Sequence, residues 1–244
     1  MIKFFQKIRK NLLNEGKTSK YFKYAIGEIV LVVIGILIAL QINNWNTQRI
    51  ENQKEKLLLR ELHNEFVQNK IQLDSAISIH TKTLKSITYL KNKLPMNLKS
   101  ENLDSLSYHL YYSTYYFTYN PSKGIINAIS NSATFDLISN DELRKLIISW
   151  DDVLADYQEE EINARDNFNN HIKPFIKEHM YYATSPKNML SDASIDLSFL
   201  KTLAFDNMVL DRYYDVTEII ENEAGEFDQI IATINRIIEL SKPQ

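Results

Sequence analysis

The chain has 244 residues, a net charge of −3, and 24% charged against 44% hydrophobic residues, a globular composition that excludes a disordered chain. Five glycines and five prolines are too few for the turns of a β-rich fold, so long helices are expected. With no cysteine, disulfides, cysteine-ligated zinc, iron–sulfur clusters and thiol nucleophiles are excluded, and a thiol-free chain suits an exported bacterial domain.

The net charge hides an asymmetry. Residues 1–24 hold seven basic groups and one acid, Glu15, for +6; the other 220 residues hold 21 basic and 30 acidic groups, for −9. Phe5, Ile8 and Leu12 recur at helical spacing in the tail, with Ile2, Phe4 and Leu13 beside them. That pattern predicts a basic amphipathic helix lying in the membrane interface, with anionic lipid head groups as partner. The acidic body makes nucleic acid an improbable partner, because phosphate binding needs a basic face.

Ile29 to Leu40 is an unbroken run of twelve apolar residues. Extended to Ala25 and Ile42 it holds only Glu28 and Gln41 as polar residues. A helix of about twenty residues spans roughly 30 Å, the thickness of a hydrocarbon core. Tyr21, Phe22 and Tyr24 before the run and Trp45 after it stand where interfacial aromatics belong. The following LQINNWNTQ has no small-x-small cleavage pattern. The expectation is therefore an uncleaved signal-anchor over residues 25–45 in a bacterial inner membrane. By the positive-inside bias the tail, 1–24, stays cytoplasmic and the body, 46–244, is periplasmic.

Within that run Glu28, Gly35, Ala39 and Asn43 fall along one helical face, ending near Asn46. Small residues let membrane helices approach closely, and polar ones then bond across the contact. This face is expected to pack on another helix, most simply a second copy. Three roles remain open for Glu28. It can sit in the favourable field of the helix N-terminus or pair with Lys20 or Lys23; it can form an interhelical contact; or it can line an ion path in a homo-oligomer.

The block FFQKIRKNLLNEGKTSKYFKYAIGEIVLVVIGILIALQINNWN, Phe4 to Asn46, resembles a family of inner-membrane proteins common in Bacteroidota and known only as a domain of unknown function. A looser likeness lies in NSATFDLISNDELRKLIISW, Asn131 to Trp150. The resemblance implies one membrane span and a helical extracytoplasmic domain. It implies no activity and supplies no catalytic residue. Likeness at Glu28, Gln41, Asn43 and Trp45 implies a shared constraint.

From Asn46 to Leu94 neither glycine nor proline occurs. Leu59, Leu62, Phe66, Leu73, Ile77, Leu84, Ile87 and Leu94 form a seam near the 3.5-residue period, predicting one coiled-coil-like helix continuous with the span. Asn69 and His80 share that seam, where a polar residue fixes register or bonds within a core. After Pro95 a second helix starts near Leu103 and enters YHLYYSTYYFTYNP, where Tyr108, Tyr112, Tyr115 and Tyr119 are expected on one helical face. That face is either a buried stripe or a platform for a glycan or an envelope protein. Ser139 and Glu142 have capping-box spacing before a third helix through Phe168, which Pro174 should bend or end. Asp151, Asp152, Asp156 and Glu159 to Glu161 give that helix an acidic face, solvated by default and a divalent-cation site in the alternative. Residues 183–196 read as a loop. Asp206 is expected to cap a last long helix reaching Ile238.

None of His63, His80, His109, His171 and His179 completes a Glu-x-x-His pair or an H-E-x-x-H motif. Nucleotide-loop and nucleophile-elbow motifs are also missing, so no enzyme activity, metal or cofactor is expected. The sequence thus points to an all-α protein: an interfacial helix, one transmembrane helix and an elongated extracytoplasmic helical bundle. Its expected role is a non-enzymatic, self-associating scaffold, sensor or partner-binding module; the alternative is an oligomeric ion channel or transport component.

Overall fold

The computed structural model describes residues 10, 18–130, 133–182, 185–187, 189–190, 195–221 and 224–243. The apolar stripe expected in the tail lies outside them, as do the Tyr21 side chain and most of 183–194. The fold is all-helical, with no strand among the described residues. Helix α1 runs Thr18–Lys91, α2 Leu103–Ser113, α3 Gly124–Ser130, α4 Asp141–Asn167, α5 Lys173–His179, α6 Leu203–Glu221 and α7 Glu226–Leu240. The chain divides into two compact units, Met1–Glu55 and Lys56–Gln244.

In the first unit α1 presents its apolar side chains outward: Ile29 is 64% exposed and Leu37 58%. It is the one helix among the described residues long and apolar enough to cross a membrane, with an 18-residue mean hydropathy of 2.6. An α-helix satisfies its backbone bonds within the segment, so the run forms this helix without a neighbour inside the chain to pack on.

In the second unit the seam of α1 turns inward. Leu62, Phe66 and Leu73 pack with Ile126 and Ile129 of α3, Leu143, Ile147, Trp150 and Leu154 of α4, and Ile230, Ile234 and Ile237 of α7. Phe66 meets Trp150 edge-on at 4.9 Å between ring centres, the preferred geometry for aromatic pairs. A further core joins Ile87 and Leu90 to Leu106 and Leu110 of α2, Phe168, Ile176 of α5, and Phe205 and Val209 of α6.

α1 ends at Lys91, three residues before the expected Leu94. Asn92 N–H bonds to the Thr88 carbonyl at 3.0 Å, and Lys93 N–H to that of Leu90 at 3.0 Å, a tightened last turn. The helical conformation is disfavoured just before Pro95. Asn102 then caps α2, its side chain accepting from Ser105 N–H at 3.0 Å. The cap of α4 is Asn140, which accepts from Leu143 N–H at 2.9 Å, in place of the Ser139–Glu142 box. Glu142 instead holds Arg236 of α7 through two bonds of 2.6 and 2.7 Å.

The helical path does not stop at Pro174, but the α-helix gives way before it, at Asn167. α4 passes into a π-helical turn at Phe168–Ile172, and α5 starts beyond it with the proline in its first turn. Proline there lacks only an N–H that a helix start leaves unused. The last segment differs more: the expected single helix is two, α6 and α7. Gly225 between them has φ of +80°, a left-handed conformation that glycine adopts without steric cost. α6 begins before Asp206, and the Thr202 hydroxyl accepts from Phe205 N–H at 3.2 Å.

Candidate functional site

Two surfaces and one buried cluster bear on function. On the first unit the face of Glu28, Gly35, Ala39 and Asn43 is open within the chain. A Cβ added at Gly35 would meet nothing within 4 Å, Ala39 and Asn43 are exposed, and Glu28 is half-buried. Gly35 therefore has no close approach to make inside its own chain. The interfacial aromatics Phe22, Tyr24 and Trp45 are also exposed.

The second surface lies on α2 and the adjoining stretch of α1. The helix ends at Ser113, so the four tyrosines do not form one helical face. Tyr108 and Tyr115 are exposed and Tyr112 half-buried, but Tyr119 is fully buried. Tyr111 takes its place. Tyr108 and Tyr112 lie 4.6 Å apart, Tyr111 and Tyr112 5.1 Å, and Tyr112 and Tyr115 5.5 Å between ring centres. The Tyr115 hydroxyl donates to that of Tyr111 at 2.8 Å, and this bond, foremost, pushes Tyr115 up to about 12. Behind them His109 stacks on Tyr89 at 3.8 Å. Burial and then the nearby Lys85 ammonium hold His109 below its ordinary range, so it is neutral at pH 7. The Lys82 ammonium sits over the Tyr112 ring at 3.5 Å, a cation–π contact. Lys82 and Lys85 thus bring two exposed positive charges to the tyrosines, whereas Lys91 lies over the Tyr213 ring and Lys93 pairs with Glu101 at 3.2 Å. A hollow of about 570 Å³ opens beside Tyr108, lined also by Asp104, Ser185, Pro186 and Lys187.

The buried cluster clamps the irregular stretch 114–123. Asn69 donates to the Ser122 carbonyl at 2.8 Å and accepts its N–H at 2.9 Å, copying the pairing of two backbones. Glu65 accepts from Ile125 N–H at 2.9 Å and from the Ser122 hydroxyl at 2.9 Å, closing the start of α3. His80 Nε2 lies 2.8 Å from Glu161 Oε1, both side chains nearly inaccessible, and the other Glu161 oxygen accepts Tyr119 N–H at 2.6 Å. Arg212 donates to the Ser113 carbonyl at 2.9 Å and to that of Tyr115 at 2.5 Å. Burial lowers Arg212 to about 10, so it stays charged at neutral pH. Every one of these bonds ends on a partner that is itself fixed, which describes a structural clasp.

The acidic face of α4 keeps Asp151, Asp152, Asp156 and Glu159 exposed and Glu160 half-exposed, but Glu161 turns into the core. The one-residue step rotates it about 100° toward α1. No group of three histidine, cysteine or carboxylate side chains suited to a metal occurs among the described residues. A cleft of about 480 Å³ lies between α5 and the turn after Ile195, lined by His179, Met180, Asp196 and Phe199 among others. Its polar groups are engaged locally: His179 stacks on Phe199 with an interplanar angle of 8°, and Asp196 accepts Ser198 N–H at 2.9 Å.

Residues 28–153 match the family model described as a family of unknown function, DUF6090. The chain belongs to that family. DUF6090 begins here at Glu28, in the apolar segment of α1, and ends at Val153, inside α4. It therefore includes the tyrosine–lysine surface and the α1 half of the clasp, but not Glu161 or Arg212. The match takes in only the Glu28–Asn46 part of the Phe4–Asn46 block and extends past it through the Asn131–Trp150 stretch. No curated protein and no solved structure is significantly similar.

Sequence reasoning missed Glu161 and Arg212 as core groups and the half-buried Glu65 as the closure of α3. Arg212 had a readable signal. It stands in register with Phe205, Val209 and Val216, all buried, as a charge in an otherwise apolar stripe. Glu161 sits within a run of three glutamates, and nothing local marks which of them turns inward.

Proposed function

We propose that this DUF6090 member is a single-pass membrane protein whose N-terminal helix anchors and self-associates, and whose helical second unit is a non-enzymatic scaffold or partner-binding module on the periplasmic side. The observation that carries this reading is the apolar run of α1, wholly exposed within the chain. Monomeric soluble proteins do not leave so large an apolar surface in water, and lipid is the solvent that covers it at the least cost. The basic tail and the flanking aromatics favour an N-terminus in the cytoplasm. The open Gly35–Ala39 face favours close helix packing. In the second unit Asn69, His80, Glu161 and the Arg212 Nε and Nη2 groups bond to fixed partners within the fold, which favours a structural role for them over a catalytic one.

The reading is tested by cysteine crosslinking in native membranes. The chain has no cysteine, so Gly35→Cys is a single clean probe. Dimers at Gly35→Cys, with few at Leu37→Cys, which lies about 200° around the helix, support the packing face. Equal yields at both positions, or none, reject it. Glu28 on the same face supports a second reading, a polar path through an oligomer. Conductance in reconstituted liposomes that Glu28→Ala abolishes would favour it.

A further inference from the structure

Two oppositely charged sides of the second unit stand at one level of the fold. His80 and Glu161 touch across the core at 2.8 Å. Two residues beyond His80, Lys82 points about 200° around α1 from that inward contact, and it is exposed, as is Lys85. One residue before Glu161 stands Glu160. Burial first, and then the Glu226, Glu218, Glu159 and Asp215 carboxylates, hold Glu160 above its ordinary range. Residues 146–172 contain seven acids and one base, Arg165, and Arg165 pairs with Asp166 at 3.1 Å. Residues 203–229 contain eight acids and one base, Arg212, which is buried and committed to carbonyls. Lys123 of the 114–123 stretch pairs with Asp151 at 3.0 Å and Lys91 lies over the Tyr213 ring, but among the described residues no ion pair engages Glu159, Glu160 or Glu218. The basic side couples its lysines to half-exposed tyrosines, a residue type enriched in protein contacts.

We propose that the tyrosine–lysine face formed by Lys82, Lys85, Tyr108, Tyr112 and Tyr115 docks the acidic side of a second copy of this chain, around Glu159, Glu160 and Glu218. The contact is heterologous: one copy offers its basic face and the next its acidic face, so the assembly grows as a row or closes as a ring. The inference rests on the membrane-anchor reading in one respect. Copies inserted in one membrane share an orientation and are confined to one plane, so complementary sides meet by lateral diffusion at a high effective concentration. Charge complementarity sets the direction of the contact and the tyrosines supply its apolar area.

The test uses the full chain in native membranes, with two differently tagged copies co-expressed, one carrying Lys85→Cys and the other Glu218→Cys, and a short bis-maleimide as crosslinker. The expected result is a mixed dimer at least ten times more abundant than either homodimer. Lys82→Glu in the first copy should reduce it at least fivefold, and Glu159→Lys in the second should restore it. A Lys85→Cys homodimer as the main product would mean a symmetric contact and overturn the proposal. So would a missing mixed dimer while Gly35→Cys still crosslinks, an outcome that leaves the span reading intact. Failure of the Gly35→Cys pair with a persistent mixed dimer would reject the span contact alone. Retention of the chain on an acidic polysaccharide column through Lys82 and Lys85, without mixed dimers, would assign the face to a glycan and also overturn it. An unchanged thermal transition of Lys82→Glu by circular dichroism shows that a loss of crosslinking is not unfolding.

Discussion

The two units solve the helix problem in opposite ways. In the first, α1 leaves its apolar residues outside and needs a solvent for them; Ile29 and Leu37 are more than half exposed. In the second, the same helix buries Leu62, Phe66 and Leu73 and carries Asn69 and His80 inward with them. The difference lies in pattern. Apolar residues occupy every side of the helix between Ile29 and Leu40, whereas beyond Lys56 most of them gather on one seam with charges around it, Leu57 and Ile71 standing outside it. One continuous helix thus carries two patterns, and the polar residues on its inner seam are tolerated only where other helices supply partners.

Breaking the buried clasp sharpens that contrast most. Glu161→Ala leaves His80 and the Tyr119 N–H without their acceptor inside the core, and it should destabilise the second unit by about 3–5 kcal/mol. Urea unfolding followed by circular dichroism measures it, and crosslinking at Gly35→Cys should not change. Asn69→Ala strands the N–H and carbonyl of Ser122 and should cost about 1–3 kcal/mol. Gly225→Ala forces a side chain into the left-handed region and should cost about 1–2 kcal/mol; a transition within error of the parent would show that the α6–α7 turn relaxes freely.

The smallest expected effect is electrostatic. Burial, foremost, holds Asp215 above its ordinary range, with Asn167 and Arg212 opposing and Asp211 adding to the shift. A carboxyl raised in the folded state binds its proton more tightly there than in the unfolded chain. It therefore adds stability below its unfolded value, and that contribution is lost as pH rises through the folded one. Relative to Asp215→Asn, the parent should gain stability as pH falls from 7 toward the carboxylate range. Thermal melts across that range check the sign; a parent that loses stability faster than the variant would contradict it. His109 offers a matching probe. Lys85→Gln removes the lesser of the two causes that lower it, so its titration by NMR should move up only part of the way to 6.5.

Much of this was legible in the chain. The apolar run, the α1 seam and the start of α2 follow from residue spacing alone, and so does the burial of His80. The clasp was not legible, because its bonds join residues far apart in sequence, such as His80 to Glu161 and Ser113 to Arg212. Tyr119 was placed on the tyrosine face by helical spacing, but the helix stops at Ser113, and beyond it the spacing carries no angular meaning. The α6–α7 break could have been read from Gly225, which stands in the middle of an otherwise helical pattern. For the candidate site, Tyr108, Tyr112 and Tyr115 were readable as a cluster. The lysines that complete it sit on another helix and gain their meaning only from packing.

The central claim is that the two parts of α1 lie in different solvents, one in lipid and one in water beyond the membrane. Single cysteines at Gly35 and at Asn64, an exposed position of α1 in the second unit and outside the tyrosine–lysine face, probed in intact spheroplasts with a membrane-impermeant maleimide, test it directly. The account predicts that Asn64→Cys is labelled within minutes and that Gly35→Cys stays unlabelled until detergent is added. Prompt labelling of Gly35→Cys, or protection of Asn64→Cys until the cells are opened, would contradict it.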